Sequence, residues 1–187
     1  MLSKTNRITV YKDTVMLGKV FREKEINLIY GESGSGKTVS SIKALNNDGI
    51  KPILLDFDNN DSQEENNCLY VHVDGIKYIK AKSKDIPIDK VIIIDTWQMF
   101  LSNGGSIKDI QNIIDNNNTV IVVAHNKPIA TKQDIPDIDH KFANHFGSKL
   151  WLERKVLKST VYHNLHILKC RGYKGKPVIS NWERKGD

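Results

Sequence analysis

One octet constrains this chain more than any other stretch: Gly31-Glu32-Ser33-Gly34-Ser35-Gly36-Lys37-Thr38, with Val39 following. Gly31, Gly36, Lys37 and Thr38 fill the pattern G-x-x-x-x-G-K-[ST]. The residue types follow from the chemistry. Glycines let successive backbone N–H groups turn inward around phosphate oxygens, and the helix that starts at the end of the turn adds partial positive charge. A lysine there reaches the β- and γ-phosphates, and a hydroxyl supplies one Mg²⁺ ligand. The flanks agree. Ile26–Tyr30 is an apolar strand-like run, and Val39, Ile42 and Leu45 recur at helical spacing. A Gly/Ser linker needs neither flank, so Gly31, Glu32, Ser33, Gly34, Ser35, Gly36, Lys37, Thr38 and Val39 are read as a phosphate-binding loop.

A strand–loop–helix unit of this kind needs a sheet to sit in, and the chain supplies one. Pro52–Phe57 and Val120–Ala124 are short aliphatic runs, and Val91–Asp95 is an all-aliphatic run closed by a carboxylate. Runs of this type are buried on both faces, as in parallel sheets. Helical patterns lie between them, one with Ile107, Ile110 and Ile114 on one face. Alternation of this kind predicts an α/β fold, a mostly parallel twisted sheet with helices on both faces. Leu165–Cys170 and Pro177–Trp182 flank Gly172-Tyr173-Lys174-Gly175, which predicts a C-terminal β-hairpin over 165–182. Residues 1–20 read as a β-structured extension covering the sheet or the nucleotide. Residues 128–146, polar and without period, read as a long mobile loop. At 187 residues the expectation is one domain, 1–187.

The remaining composition narrows the setting. No apolar run approaches the ~20 residues that cross a bilayer. Cys68 and Cys170 have neither disulfide nor metal spacing, and no signal-peptide pattern opens the chain, so a cytoplasmic protein is expected. Ten Lys/Arg against three Asp/Glu lie between Lys149 and Asp187, a surplus larger than the net +6 of the whole chain. A basic C-terminal fifth on a near-neutral body suggests a polyanionic partner, or else a solvated lysine-rich face.

Ligands of parallel α/β sheets bind at the carboxyl ends of the strands, which selects the candidates. Asp95 is placed to support Mg²⁺ beside Thr38, or to cap the next helix. Asp58 is the first choice to orient and deprotonate a water, with Asp56 and Asp61 as rivals. His125 could hydrogen-bond the γ-phosphate and report its loss to the adjoining loop. Lys169 and Arg171, two apart on a strand-like segment, share a face. They could stabilise transition-state charge in a neighbour's site, touch nucleic-acid phosphates, or meet only solvent. Trp97 and Phe100 could stack on bases or pack on the sheet.

With these pieces in place the chain resembles the RecA-like ATPases: RecA/Rad-type recombinases, hexameric replicative helicases of the DnaB and plasmid RepA type, and small phage RecA-core proteins. The matching pieces are INLIYGESGSGKT, LLDFDNN, VIIIDTW, VIVVAHNK, Gly147-Ser148 and LHILKCRGYKGK, in the family's order over most of residues 15–182. The resemblance implies that Lys37 and Thr38 bind ATP and Mg²⁺, that Asp95 supports the metal and that His125 is a sensor. It also implies that Lys169 and Arg171 are trans-acting fingers. Asp58 stands where the family usually has a glutamate one methylene longer. DNA-facing loops would correspond to Thr96–Ser106 and Lys127–His145. The expectation is therefore an oligomeric Mg·ATP-dependent ATPase acting on single-stranded DNA in recombination, annealing or replication, with a small hexameric helicase as the near alternative. From other classes, a P-loop small-molecule kinase with residues 128–146 as its lid, or a weakly hydrolysing regulatory module, stays open.

Overall fold

The computed structural model describes residues 16–58, 68, 70–72, 87–125, 145–180 and 182. The expectations for residues 1–15, for Asp61 and for 126–144 (nearly all of the expected mobile loop) lie outside the described residues.

The short strands β1 (Met16–Leu17) and β2 (Phe21–Arg22) form a two-stranded antiparallel ribbon. β3 (Ile26–Gly31) leads through the loop to helix α1 (Lys37–Asn47). Then come β4 (Ile53–Asp56), β5 (Tyr70–His72) and β6 (Val91–Asp95). Two helices follow, α2 (Trp97–Ser102) and α3 (Ile107–Asp115), and β7 (Thr119–His125) after them. The chain closes with β8 (Phe146–Leu157), β9 (Thr160–Cys170) and β10 (Val178–Ser180). The last eight strands make one sheet in the order β10-β9-β8-β3-β7-β6-β4-β5. The pairings from β8 across to β5 are all parallel, and β9 is antiparallel to both of its neighbours.

The α/β expectation holds, and its physical basis is visible. Every residue of β3, β4 and β6 is buried. Alternate side chains of those strands feed two apolar layers. On one face Ile29, Leu54, Ile93 and Val123 pack with Ile42, Ala44 and Leu45 of α1. On the other, Leu28, Leu55, Ile94 and Val122 pack with Trp97 and Phe100 of α2 and Ile110 and Ile113 of α3. The N-terminal ribbon belongs to the first layer: Leu17, Val20 and Phe21 sit with α1, so this part of the extension covers the sheet. Trp97 and Phe100 are fully buried and stacked at 5.6 Å, so of the two roles open to them it is core packing that they take.

Helix ends follow local chemistry. α3 begins with a capping box: the Ser106 hydroxyl accepts from the Asp109 N–H, and the Asp109 carboxylate accepts from the Ser106 N–H. α1 stops at the Asn-Asn-Asp-Gly cluster, with Gly49 at φ +75°.

The C-terminal hairpin exists as β9–β10 but is part of something larger. β9 pairs along its length with β8, from Ser148↔Cys170 to Leu157↔Thr160. The start of β8 is locked against β3 by two features. Ser148 Oγ donates to buried Asn27 Oδ1 at 2.7 Å, and a side chain at Gly147 would collide with Glu25. The Gly147-Ser148 step is thus the seam between β8 and β3.

Candidate active site

β3, β6 and β7 run in parallel and β4 lies beyond β6, so the residues at their carboxyl ends gather at one edge of the sheet. There Ser33, Gly34, Gly36, Lys37, Thr38 and Val39 of the loop face Asp58, Asp95 and His125 across a cleft of about 260 Å³.

The loop has the geometry its glycines permit. Gly34 and Gly36 stand at φ +70° and +81°, a region in which an L side chain is strained. At Gly31 the reason is contact: an added Cβ would lie 2.4 Å from the Leu152 carbonyl oxygen of β8. Ser35 is fully buried, and its N–H donates to the Glu32 carbonyl at 3.2 Å. Gly36 caps α1, so the first N–H groups of that helix point to the loop.

Lys37, the first residue of α1, is nearly fully buried. Its Nζ donates to the Glu32 carbonyl at 2.7 Å and to the Gly31 carbonyl at 3.2 Å, with Ser35 Oγ at 3.5 Å. Burial lowers its pKa from 10.5 to about 8, against the pull of Asp95, Asp58 and Glu32. A cation held at a desolvation cost beside an open cleft is poised to gain from an arriving polyanion.

The Thr38 hydroxyl donates to Asp95 Oδ2, joining the two expected metal ligands. This pair fits Mg²⁺, which commonly takes one or two protein oxygens and completes its shell with water and phosphate. Among the described residues no group of three or more His, Cys, Asp or Glu is placed to hold a metal ion, so the metal reading rests on Thr38 and Asp95.

Asp58 and His125 face each other, with His125 Nε2 3.7 Å from Asp58 Oδ2. His125 Nδ1 lies 3.4 Å from Lys37 Nζ, so Nδ1 accepts and the ring proton sits on Nε2, toward Asp58. Burial and the Lys37 charge hold His125 below its ordinary pKa, with Asp58 opposing them, so the imidazole is neutral at neutral pH. Of Asp58's rivals, Asp56 is buried and its Oδ1 accepts from the Asp58 N–H at 3.0 Å, whereas Asp58 lines the cleft together with Asp95; Asp61 lies outside the described residues.

Two site-positioning residues were not among the sequence candidates. Thr96 Oγ1 donates to Asp58 Oδ1 at 3.2 Å. Gln98 clamps the His125 backbone, donating from Nε2 to its carbonyl at 3.2 Å and accepting its N–H at 3.4 Å. Both stand just beyond Asp95, and that nearness to a strand-end carboxylate is the one sequence signal that marks them.

Lys169 and Arg171 are not in this cleft. β3 enters the sheet at Ile26, beside Phe146 of β8, and the two residues lie at that opposite end. They line a separate pocket of about 260 Å³ with Lys24, Glu25, His145 and Gly147. Lys169 Nζ donates to the Phe146 carbonyl at 2.6 Å. The expectation puts the pair within one strand; the two residues do line one pocket, but only Lys169 lies within the strand. β9 ends at Cys170, so Arg171 begins the following turn, exposed, its carbonyl held by Arg22 Nη1 at 2.9 Å.

Neither a protein-family model nor a curated protein matches the sequence. Solved structures do match in fold. The RadB recombinase aligns at TM-score 0.61 and 15% identity, over 86% of this chain and 87% of its own. The flagellar accessory protein FlaH of Methanocaldococcus jannaschii aligns at TM-score 0.57 and 12% identity, over 84% of each chain. The chain has a RecA-like fold.

Proposed function

We propose that this chain is a Mg·ATP-dependent ATPase of RecA type that assembles head to tail and acts on single-stranded DNA in recombination, annealing or replication. The observation that carries the reading is the convergence of Lys37, Thr38, Asp58, Asp95 and His125, from four separate segments, on one cleft beside a glycine-rich loop.

The residues divide the work by position. The loop amides and the Lys37 ammonium hold the phosphates, and Thr38 with Asp95 hold Mg²⁺, which would neutralise charge on the β- and γ-phosphates. Asp58, kept in place by Thr96, orients a water and takes its proton. His125 lies between Lys37 and Asp58, and Gln98 fixes its backbone, so a change at the terminal phosphate passes to the segment that follows β7. Lys169 and Arg171 sit at the far end of the sheet and act on a neighbour's site. Exposed Arg154, Lys155, Lys158, Lys174 and Lys176 supply positive surface for a polyanion.

ATP turnover by the purified protein, with and without a single-stranded oligonucleotide, tests the reading. Hydrolysis that rises with the oligonucleotide, with an affinity for it that falls steeply with salt, is expected. Lys37→Ala should abolish turnover. Undiminished hydrolysis by that variant removes the phosphate-loop assignment, and a salt-independent, DNA-indifferent ATPase favours the kinase or regulatory reading.

A further inference from the structure

β8 and β9 continue past the edge of the sheet. The last residue of β8 paired with β3 is Trp151, opposite Tyr30, yet β8–β9 pairing runs on to Leu157↔Thr160. The hairpin therefore projects beyond the carboxyl end of β3, the end that carries the phosphate loop.

Its register says which side chains face the loop. Leu152 and Leu165 are paired, and both lie in the apolar layer shared with α1. Side chains alternate along a strand, so the next pairs outward on that face are Arg154↔His163 and then Val156↔Val161. This is the face on which α1 and its loop sit. His163 is where the two meet: a Cβ built on Gly36 would lie 3.7 Å from His163 Cε1. Val156, although apolar, is 58% exposed.

The strand order gives the direction of a bound nucleotide. Asp58, Asp95 and His125 follow or end β4, β6 and β7, all on one side of β3, whereas β8 and β9 lie on the other. A phosphate chain lying along the loop with its terminal phosphate toward Asp58 and His125 leaves its other end beside the hairpin. We propose that this face of the β8–β9 hairpin is the nucleoside subsite of the same cleft, supplied by the same chain. Val156 and Val161 form an apolar shelf for the face of the base, His163 meets the sugar, and Arg154 reaches the phosphate next to it. Every base has such a face, so a shelf of this kind tolerates different bases. The proposal rests on the reading of the cleft as a nucleoside triphosphate site.

Binding of Mg·ADP, Mg·ATP and inorganic Mg·tripolyphosphate to the full chain separates the two ideas, because tripolyphosphate has no nucleoside. Val156→Asp, on the exposed tip, and His163→Ala should each weaken ADP and ATP about tenfold. Both variants should bind tripolyphosphate as the parent protein does. ADP binding unchanged in both variants overturns the subsite, and so does an equal loss of ADP and tripolyphosphate, which marks the hairpin as mere support for the loop. A parent protein that binds neither ATP nor tripolyphosphate overturns the phosphate-site reading itself.

Discussion

Burial makes the Lys37 ammonium costly to hold. With a folded-state pKa of about 8 against 10.5, the folded protein binds fewer protons at this side chain than the unfolded chain does between those values. Stability gained from that difference rises with pH through this window, and below about pH 8 the buried charge is a net burden. Replacing it with an isosteric apolar residue, Lys37→Met, should raise the stability of the nucleotide-free protein by about 1–2 kcal/mol near neutral pH, read from denaturant midpoints. It should also eliminate nucleotide binding. Because polyphosphate binds the ammonium form, ATP affinity should fall as pH rises above about 8, a loss visible in titrations across that range. His125 offers a second reading of the same field. The Lys37 charge lowers its pKa and Asp58 raises it, so NMR titration should find it moved up in Lys37→Ala and further down in Asp58→Asn. Shifts of the same sign in both variants would contradict the arrangement. The residues that form this cluster were legible in the sequence because chemistry and position coincide there: a carboxylate or imidazole ends or follows an aliphatic run, and parallel strands bring such ends together. Thr96 and Gln98 were not, because a hydroxyl and an amide opening a short helix carry no periodic or motif signal.

Among the elements, β3, β6 and β7 announce themselves as aliphatic runs of strand length, and α1 by its apolar spacing after the loop. β8 does not. Its first half contains Gly147-Ser148, which breaks any aliphatic run, and its outer half, Glu153-Arg154-Lys155, is charged. The turn that joins it to β9 uses Lys158 and Ser159 at φ +53° and +27°, where glycine, asparagine or aspartate is the usual signal. A long antiparallel pair was therefore hidden, and only its far side, β9–β10, was legible. The close approach of β8 to the loop strand is testable. Gly31→Ala brings a methyl group against the Leu152 carbonyl, a backbone atom that moves only with its strand. That substitution should destabilise the protein by about 2 kcal/mol and impair nucleotide binding together, measured by thermal denaturation and nucleotide titration. A fully stable variant would mean that β8 is not held this tightly.

For the whole molecule, the arrangement of its two polar sites is what matters. The cleft beside the glycine-rich loop lies at the carboxyl ends of the parallel strands, and the basic pocket with Lys24, Lys169 and Arg171 lies at their amino ends. One chain cannot bring these two ends together. Copies stacked head to tail can, since a heterologous interface joins unlike surfaces and closes into a ring or continues as a filament. Light scattering should accordingly find an assembly larger than a dimer once ATP and a single-stranded oligonucleotide are present. The most direct test mixes two defective proteins, Asp58→Asn with an intact Arg171 and Arg171→Ala with an intact Asp58. Each alone should be inactive, and an equimolar mixture should recover about a quarter of the parent rate per subunit, the fraction of shared interfaces that combine both intact residues. No recovery at any ratio would contradict a site completed in trans.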